Sequence, residues 1–218
     1  MNWIRNNWPF MAGVFFVALA FLVCLFGDMI DPRQKLTIII FMTLFIHQFE
    51  EYVCPGGFPL IWNRAVSGEE ENYTHYPLNK NNALFSNVSF WIIYALIILF
   101  GYEIPVLLLM LSYIGFGQVF MHAFMMNIKA HTKYSPGMAT AILIMLPVGI
   151  YSMWFLAVNY TVPFWSWFVA IILLMLSSGL LLALPMKIMG DRNSPYRYAE
   201  EDLDRFHLIE KMGVFKKD

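Results

Sequence analysis

An all-helical bundle embedded in a membrane is the fold class this sequence predicts, and three observations carry the prediction. The 218 residues are 59% hydrophobic and 13% charged, where a soluble domain runs near 45–50% apolar and about 25% charged. The apolar residues gather into six continuous runs, each near the ~17–25 residues a helix needs to cross the hydrocarbon core and well beyond the ~9–11 of a barrel strand. The interruptions between the runs carry helix caps and turn residues. A balance of 14 basic against 15 acidic residues, net −1, excludes a nucleic-acid binder working through bulk positive charge. Two cysteines cannot build a disulfide framework.

The first run, 10–26, follows Arg5 and contains Ala18-Leu19-Ala20, a pattern that imitates a secretory signal. The chain returns to the membrane at Leu36, so an uncleaved helix is the expectation. Gly27-Asp28 and Asp31-Pro32 separate it from the second run, 36–53, which Cys54-Pro55-Gly56-Gly57 stops. A polar segment, 54–83, leads to the third run, 84–100, and Gly101-Tyr102-Glu103 implies a tight hairpin into the fourth, 104–128. There Gly115 and Gly117 would let a neighbouring backbone come close. Ser135-Pro136-Gly137 opens the fifth run, 137–158, in which Pro147 and Gly149 predict a kink, and the sixth spans 163–188. These runs make a membrane domain over 1–190. Residues 191–218 form a tail in which Leu203, Phe206, Ile209, Met212 and Phe215 recur every three positions, predicting an amphipathic helix on the cytoplasmic face.

Six crossings put both chain ends on one side with the 54–83 and 129–136 loops. Arg33 and Lys35 are then the basic residues of the opposite side. The positive-inside rule makes the richer side cytoplasmic, and a plasma-membrane location is expected. Cys24 and Cys54 fall at opposite faces and cannot pair.

In so apolar a chain, ionisable groups inside the runs carry the functional information, because each costs about 2.5–3.5 kcal/mol at a helix centre. The second run ends in His47-Gln48-Phe49-Glu50-Glu51-Tyr52. Helical spacing sets Glu50 three and Glu51 four residues beyond His47, on its face of the helix. The fourth run, parallel to the second, holds His122 at the same depth, with Gln118 before it and Asn127 after it; the third adds Ser86, Asn87 and Ser89 near that level. A polar cavity in the cytoplasmic half, roofed by the 54–83 segment, is the expected result. Two imidazoles with a carboxylate are the donors of zinc hydrolases, or of a non-haem iron site with open positions. The metal ligands are expected from His47, Glu50 or Glu51, and His122, the remaining glutamate acting as general base. Gln118, Asn87 and Asn127 would support the site, and His75 or His131 could fold back from a loop as a further ligand.

At His47-Gln48-Phe49-Glu50-Glu51 the sequence resembles the HXXEE family of multi-pass membrane proteins. A second family-like block is His122 followed by Tyr134-Ser135-Pro136-Gly137 and Thr140, so the similarity covers roughly 36–150. The resemblance implies a multi-pass protein with an enzymatic or metal-binding role and supplies no substrate.

Together these features lead to a metal-dependent hydrolase of a lipid or membrane-soluble substrate, with a divalent metal, zinc before iron, and membrane lipids as its surroundings. A carrier or sensor using the same groups as a proton or cation site is the alternative. A structural subunit with no site of its own is a third reading.

Overall fold

The computed structural model describes residues 1–211, and all regular structure among them is helical. Helix α1 (Asn2–Met29) starts well before its apolar run at residue 10. Trp8 explains the early start: it is buried, edge-on to Tyr52 at 4.8 Å and to Trp91 at 6.0 Å, so the polar first turns are anchored by packing. Helix α2 (Pro32–Tyr52) is started by Asp31, whose side chain accepts from the Arg33 N–H, with Pro32 in the first turn, where its missing donor costs nothing. It stops at Gly56 and Gly57, both at positive φ.

A short helix α3 (58–66) follows. The chain to residue 79 then winds around buried Asn63, whose amide donates to the carbonyls of Tyr73 and Leu78 and accepts from the Leu78 N–H. Helix α4 (Lys80–Gly101) begins with a reciprocal cap between Asn79 and Asn82. Helices α5 (Pro105–Ala130), α6 (Met138–Asn159) and α7 (Phe164–Met189) complete the bundle.

Among the described residues five helices, α1, α4, α5, α6 and α7, are long and apolar enough to cross a membrane. Six apolar spans were expected, and the difference is α2. It has 21 residues, but Arg33, Lys35, Glu50 and Glu51 load both its ends. It is enclosed by the others, with Leu44, Phe45, His47 and Gln48 all buried. The outer helices instead expose apolar side chains, among them Phe21, Phe100, Phe164 and Met175. Such a surface suits lipid and not water.

Close packing of α5 on α6 depends on two glycines. A Cβ at Gly115 would lie 2.6 Å from the Met145 carbonyl oxygen, and one at Gly149 would lie 2.5 Å from that of Ser112. Gly117, expected to serve the same purpose, has nothing within 4 Å of a built Cβ; it opens onto space. Pro147 follows a wide, π-type turn over Ala141–Met145, which accommodates its missing N–H.

The tail differs from the single amphipathic helix expected. It forms two short helices, α8 (Glu200–Leu203) and α9 (Leu208–Lys211), broken where Asp204 leaves helical geometry and turns its carboxylate onto the N–H groups of Ile209 and Glu210. Leu203 and Ile209 are buried with Leu60, Ile61, Met126 and Ala130, while Phe206 is exposed. Met212 and Phe215 lie outside the described residues.

Candidate metal centre and its cavity

On α2, residues four apart stack on one stripe, and Nε2 of His47 comes within 3.6 Å of Oε1 of Glu51. From α5, Nε2 of His122 reaches the same oxygen at 3.3 Å. The two imidazoles stand edge to face, centroids 4.9 Å apart. His47, His122 and Glu51 are 1%, 0% and 7% exposed, and one donor atom from each lies within 4.8 Å of the others. His122 sits in a π-type turn, Phe120–Met126, a local widening that recurs at functional sites. Its backbone carbonyl accepts from the Ser135 hydroxyl at 2.8 Å, which ties the turn before α6 to this part of α5.

Glu50 goes elsewhere. One residue along a helix is about 100° around it, and its carboxylate meets the start of α6. There it accepts from the N–H groups of Ala139 (3.1 Å) and Thr140 (2.7 Å), the Tyr134 hydroxyl (2.7 Å) and the Thr140 hydroxyl. The first N–H groups of a helix have no partner within it and sit at the positive end of its dipole. Glu50 is therefore the cap of α6, with both oxygens occupied. The structure brings Glu51, not Glu50, to the two imidazoles.

The protonation pattern follows from Thr140. Its hydroxyl is 2.9 Å from Nδ1 of His47 and also contacts the Glu50 carboxylate and the Gly137 carbonyl (3.2 Å). A carboxylate holding four donors and a carbonyl are acceptors, and the hydroxyl has one proton to give. The imidazole must donate. His47 thus carries its hydrogen on Nδ1 and turns the Nε2 lone pair towards Glu51, the arrangement that outer hydrogen bonds impose on metal-ligating histidines.

This donor set fits a small divalent ion. Four ligands at ~2.0–2.1 Å around tetrahedral zinc lie about 3.3–3.4 Å from one another; the two edges to Glu51 are 3.3 and 3.6 Å, and the three donor atoms lie within 4.8 Å of one another. The Nε2 atoms of both histidines are buried without a hydrogen-bond partner, rare for groups that native structures usually satisfy. Gly137, at φ +99°, makes the cradle possible. A Cβ there would lie 2.6 Å from Cε1 of His122 and 2.9 Å from Cε1 of His47.

Of the remaining candidates, Gln118 lines the cavity beside the cluster. Asn87 accepts from Gln48 at 2.8 Å and donates to the Ala83 carbonyl. Asn127 donates to the Ala123 carbonyl and to the Met138 sulfur. His75 is turned away from the centre, its ring donating to the Arg192 carbonyl at 2.7 Å and accepting from Thr74. His131 is exposed in the left-handed turn that ends α5. Neither loop histidine belongs to the cluster.

The cluster faces a cavity of about 220 Å³. Phe58 and Trp62 of α3 and Leu78 line it, Phe58 with its ring 5.7 Å from that of His122, and α7 contributes Leu174, Ser178, Leu182 and Met186. Tyr134, Gly137 and Thr140 stand in the second family-like block after His122 without a stated role, and that block is the available signal for them; the apolar α7 offers none.

A family model described as "protein of unknown function with HXXEE motif" matches residues 38–152, a stretch that contains His47, Glu50, Glu51, His122 and Thr140. The chain belongs to the HXXEE family. Comparison with the curated proteins and with the solved structures gives no match. In this member the motif splits into two duties: His47 and Glu51 form the cluster, and Glu50 anchors the helix that orients His47.

Proposed function

We propose that this HXXEE protein is a metal-dependent hydrolase of a lipid-like ester, working from within the bilayer. The observation that carries the reading is the meeting of two buried imidazole nitrogens on one carboxylate oxygen, at 3.6 and 3.3 Å, with one donor atom from each residue within 4.8 Å of the others. His47, His122 and Glu51 would hold the ion, zinc before iron. When bound, such an ion supplies Lewis-acid polarisation of the ester oxygen. Thr140 and Glu50 keep His47 oriented. Glu51, which borders the cavity, would face the ion with Oε1 and take the proton of the attacking water on Oε2, since Glu50 has no free oxygen. As water adds to the ester carbonyl and the C–O bond to the alcohol breaks, that proton passes to the leaving alkoxide. The apolar lining excludes bulk water and receives the substrate.

In this reading α2 is the sixth crossing, shielded from lipid by its neighbours. Both chain ends and the tail lie on the cytoplasmic side of the plasma membrane, where the loops are richest in lysine and arginine.

One observation favours a second reading, a cation or proton site without chemistry: with Glu50 saturated, no spare carboxylate stands beside the cluster among the described residues. An ester-hydrolysis screen on the full chain in lipid nanodiscs separates them. Release of fatty acid that a chelator stops, zinc restores and Glu51→Gln abolishes supports the hydrolase. Stoichiometric zinc binding with no hydrolysis of any acyl ester supports the second.

A further inference from the structure

The cavity is shaped along its length, and its two ends differ in chemistry. On α5 it runs from Ile114 to His122 and on α7 from Leu174 to Met186, about 12 and 18 Å by helical rise. A volume of about 220 Å³ spread over that length is a narrow slot. The end away from the cluster is made by Leu44, Phe90, Ile114 and Leu174, all apolar. The other end holds Glu51 and His122.

The slot also has a side opening. Its walls on α2 and α4 are closed by buried residues such as Leu44, Gln48, Ala83 and Ser86. Gln48 is fully engaged there, donating to Asn87 and accepting from Trp91 at 2.7 Å. On α5, in contrast, Gly117 borders the slot, is exposed, and has no atom within 4 Å of a built Cβ. It lies between the apolar end and His122, on a helix apolar enough to span the membrane. A missing side chain at that position leaves a gap facing lipid.

We propose that the slot binds a single-chain amphiphile, an acyl ester or the fatty acid it releases, which enters sideways from the bilayer past Gly117. The chain lies among Leu44, Phe90, Ile114 and Leu174, and the carboxyl or ester head sits at His47, Glu51 and His122. This assignment rests on the hydrolase reading for the chemistry of the head, but the slot and its opening stand apart from it.

The test uses the full chain in phosphatidylcholine nanodiscs and a medium-chain fatty acid with a diazirine at its far end as the probe. Photolabelling is expected on the peptides carrying Phe90, Ile114 and Leu174, against the excess of two-chain lipid, and lysophosphatidylcholine displaces it. Gly117→Trp fills the opening and lowers this labelling at least about tenfold, the effect of only ~1.4 kcal/mol in binding. Leu174→Trp, which narrows the apolar end, does the same, whereas Phe124→Trp on the exposed side of α5 changes nothing. Zinc content is read in parallel. Loss of zinc in His122→Ala with slot labelling intact supports a slot that holds the chain independently of the metal. Label confined to lipid-facing residues, or unchanged in both Gly117→Trp and Leu174→Trp with zinc retained, overturns the slot while leaving the metal reading untouched.

Discussion

Replacing Thr140 with valine tests how far the cluster depends on its outer hydrogen bonds. The substitution keeps the branched shape and removes the one hydroxyl that touches both His47 and Glu50. Glu50 retains three donors: the Tyr134 hydroxyl and the N–H groups of Ala139 and Thr140. His47 loses its Nδ1 acceptor in a position only 1% exposed. An unsatisfied buried donor costs about 1–3 kcal/mol, and outer-shell changes of this kind weaken metal binding about 10–100-fold. Zinc affinity of the purified full chain, measured by competition with a chromophoric chelator, is expected to fall within that range for Thr140→Val. Thr140→Ser keeps the hydroxyl and is expected to restore most of it. If Thr140→Val binds zinc within about twofold of the wild type, the assignment of the His47 hydrogen to Nδ1 is wrong, because a tenfold change corresponds to only ~1.4 kcal/mol.

Three further outcomes follow from the packing and the loops. Gly137→Ala forces a side chain to within 2.6 Å of the His122 ring at a backbone φ of +99°, so zinc binding should be lost while the protein still inserts; retained affinity would show that the rings are free to move apart. Gly149→Ala pushes a methyl against the Ser112 carbonyl at 2.5 Å and should destabilise by about 1–3 kcal/mol, seen as a lower thermal midpoint in detergent; an unchanged midpoint would mean that α5 and α6 are not in backbone contact. Glu69 accepts from the Asn72 and Glu71 N–H groups and pairs with Arg192 at 2.7 Å, and the Asn72 N–H first, with Glu71 and Arg192, holds its carboxyl below the ordinary value. Its contribution to docking the tail is therefore fully present above the unfolded value of about 4.3 and is lost as pH falls through the lower folded value. Protease sensitivity of the 190–211 segment should rise on that acid side, and Glu69→Gln should show the raised sensitivity at neutral pH with little further change on acidification.

Much of the helical plan was legible because the signals are local. Asp31-Pro32 and Asn79 mark helix starts by their own capping bonds, and Gly56 and Gly57 mark a stop by conformations other residues avoid. The depth match of His47 and His122 was readable from residue counts on two parallel helices. The division of labour between Glu50 and Glu51 was not. Both lie near the His47 face, and what separates them is the arrival of the α6 N-terminus, a tertiary event that local spacing does not encode. Gly117 illustrates the same limit, since a small residue on a helix marks either close packing or open space, and only the neighbours decide. The tail misled for another reason: a three-residue apolar recurrence fits a continuous helix and also two short turns, and the Asp204 cap selected the second. The wall contributed by α7 left no trace in the sequence, as Leu174 and Leu182 look like any lipid-facing leucine.

The central claim is that His47, Glu51 and His122 hold a metal ion, and elemental analysis of the purified full chain tests it most directly. About one equivalent of zinc or iron per chain is expected in the wild type, falling to background in His47→Ala and in His122→Ala while both remain folded by circular dichroism and thermal melting. A wild type that stays metal-free after purification without chelators and dialysis against zinc, or alanine variants that keep their metal, would contradict the account.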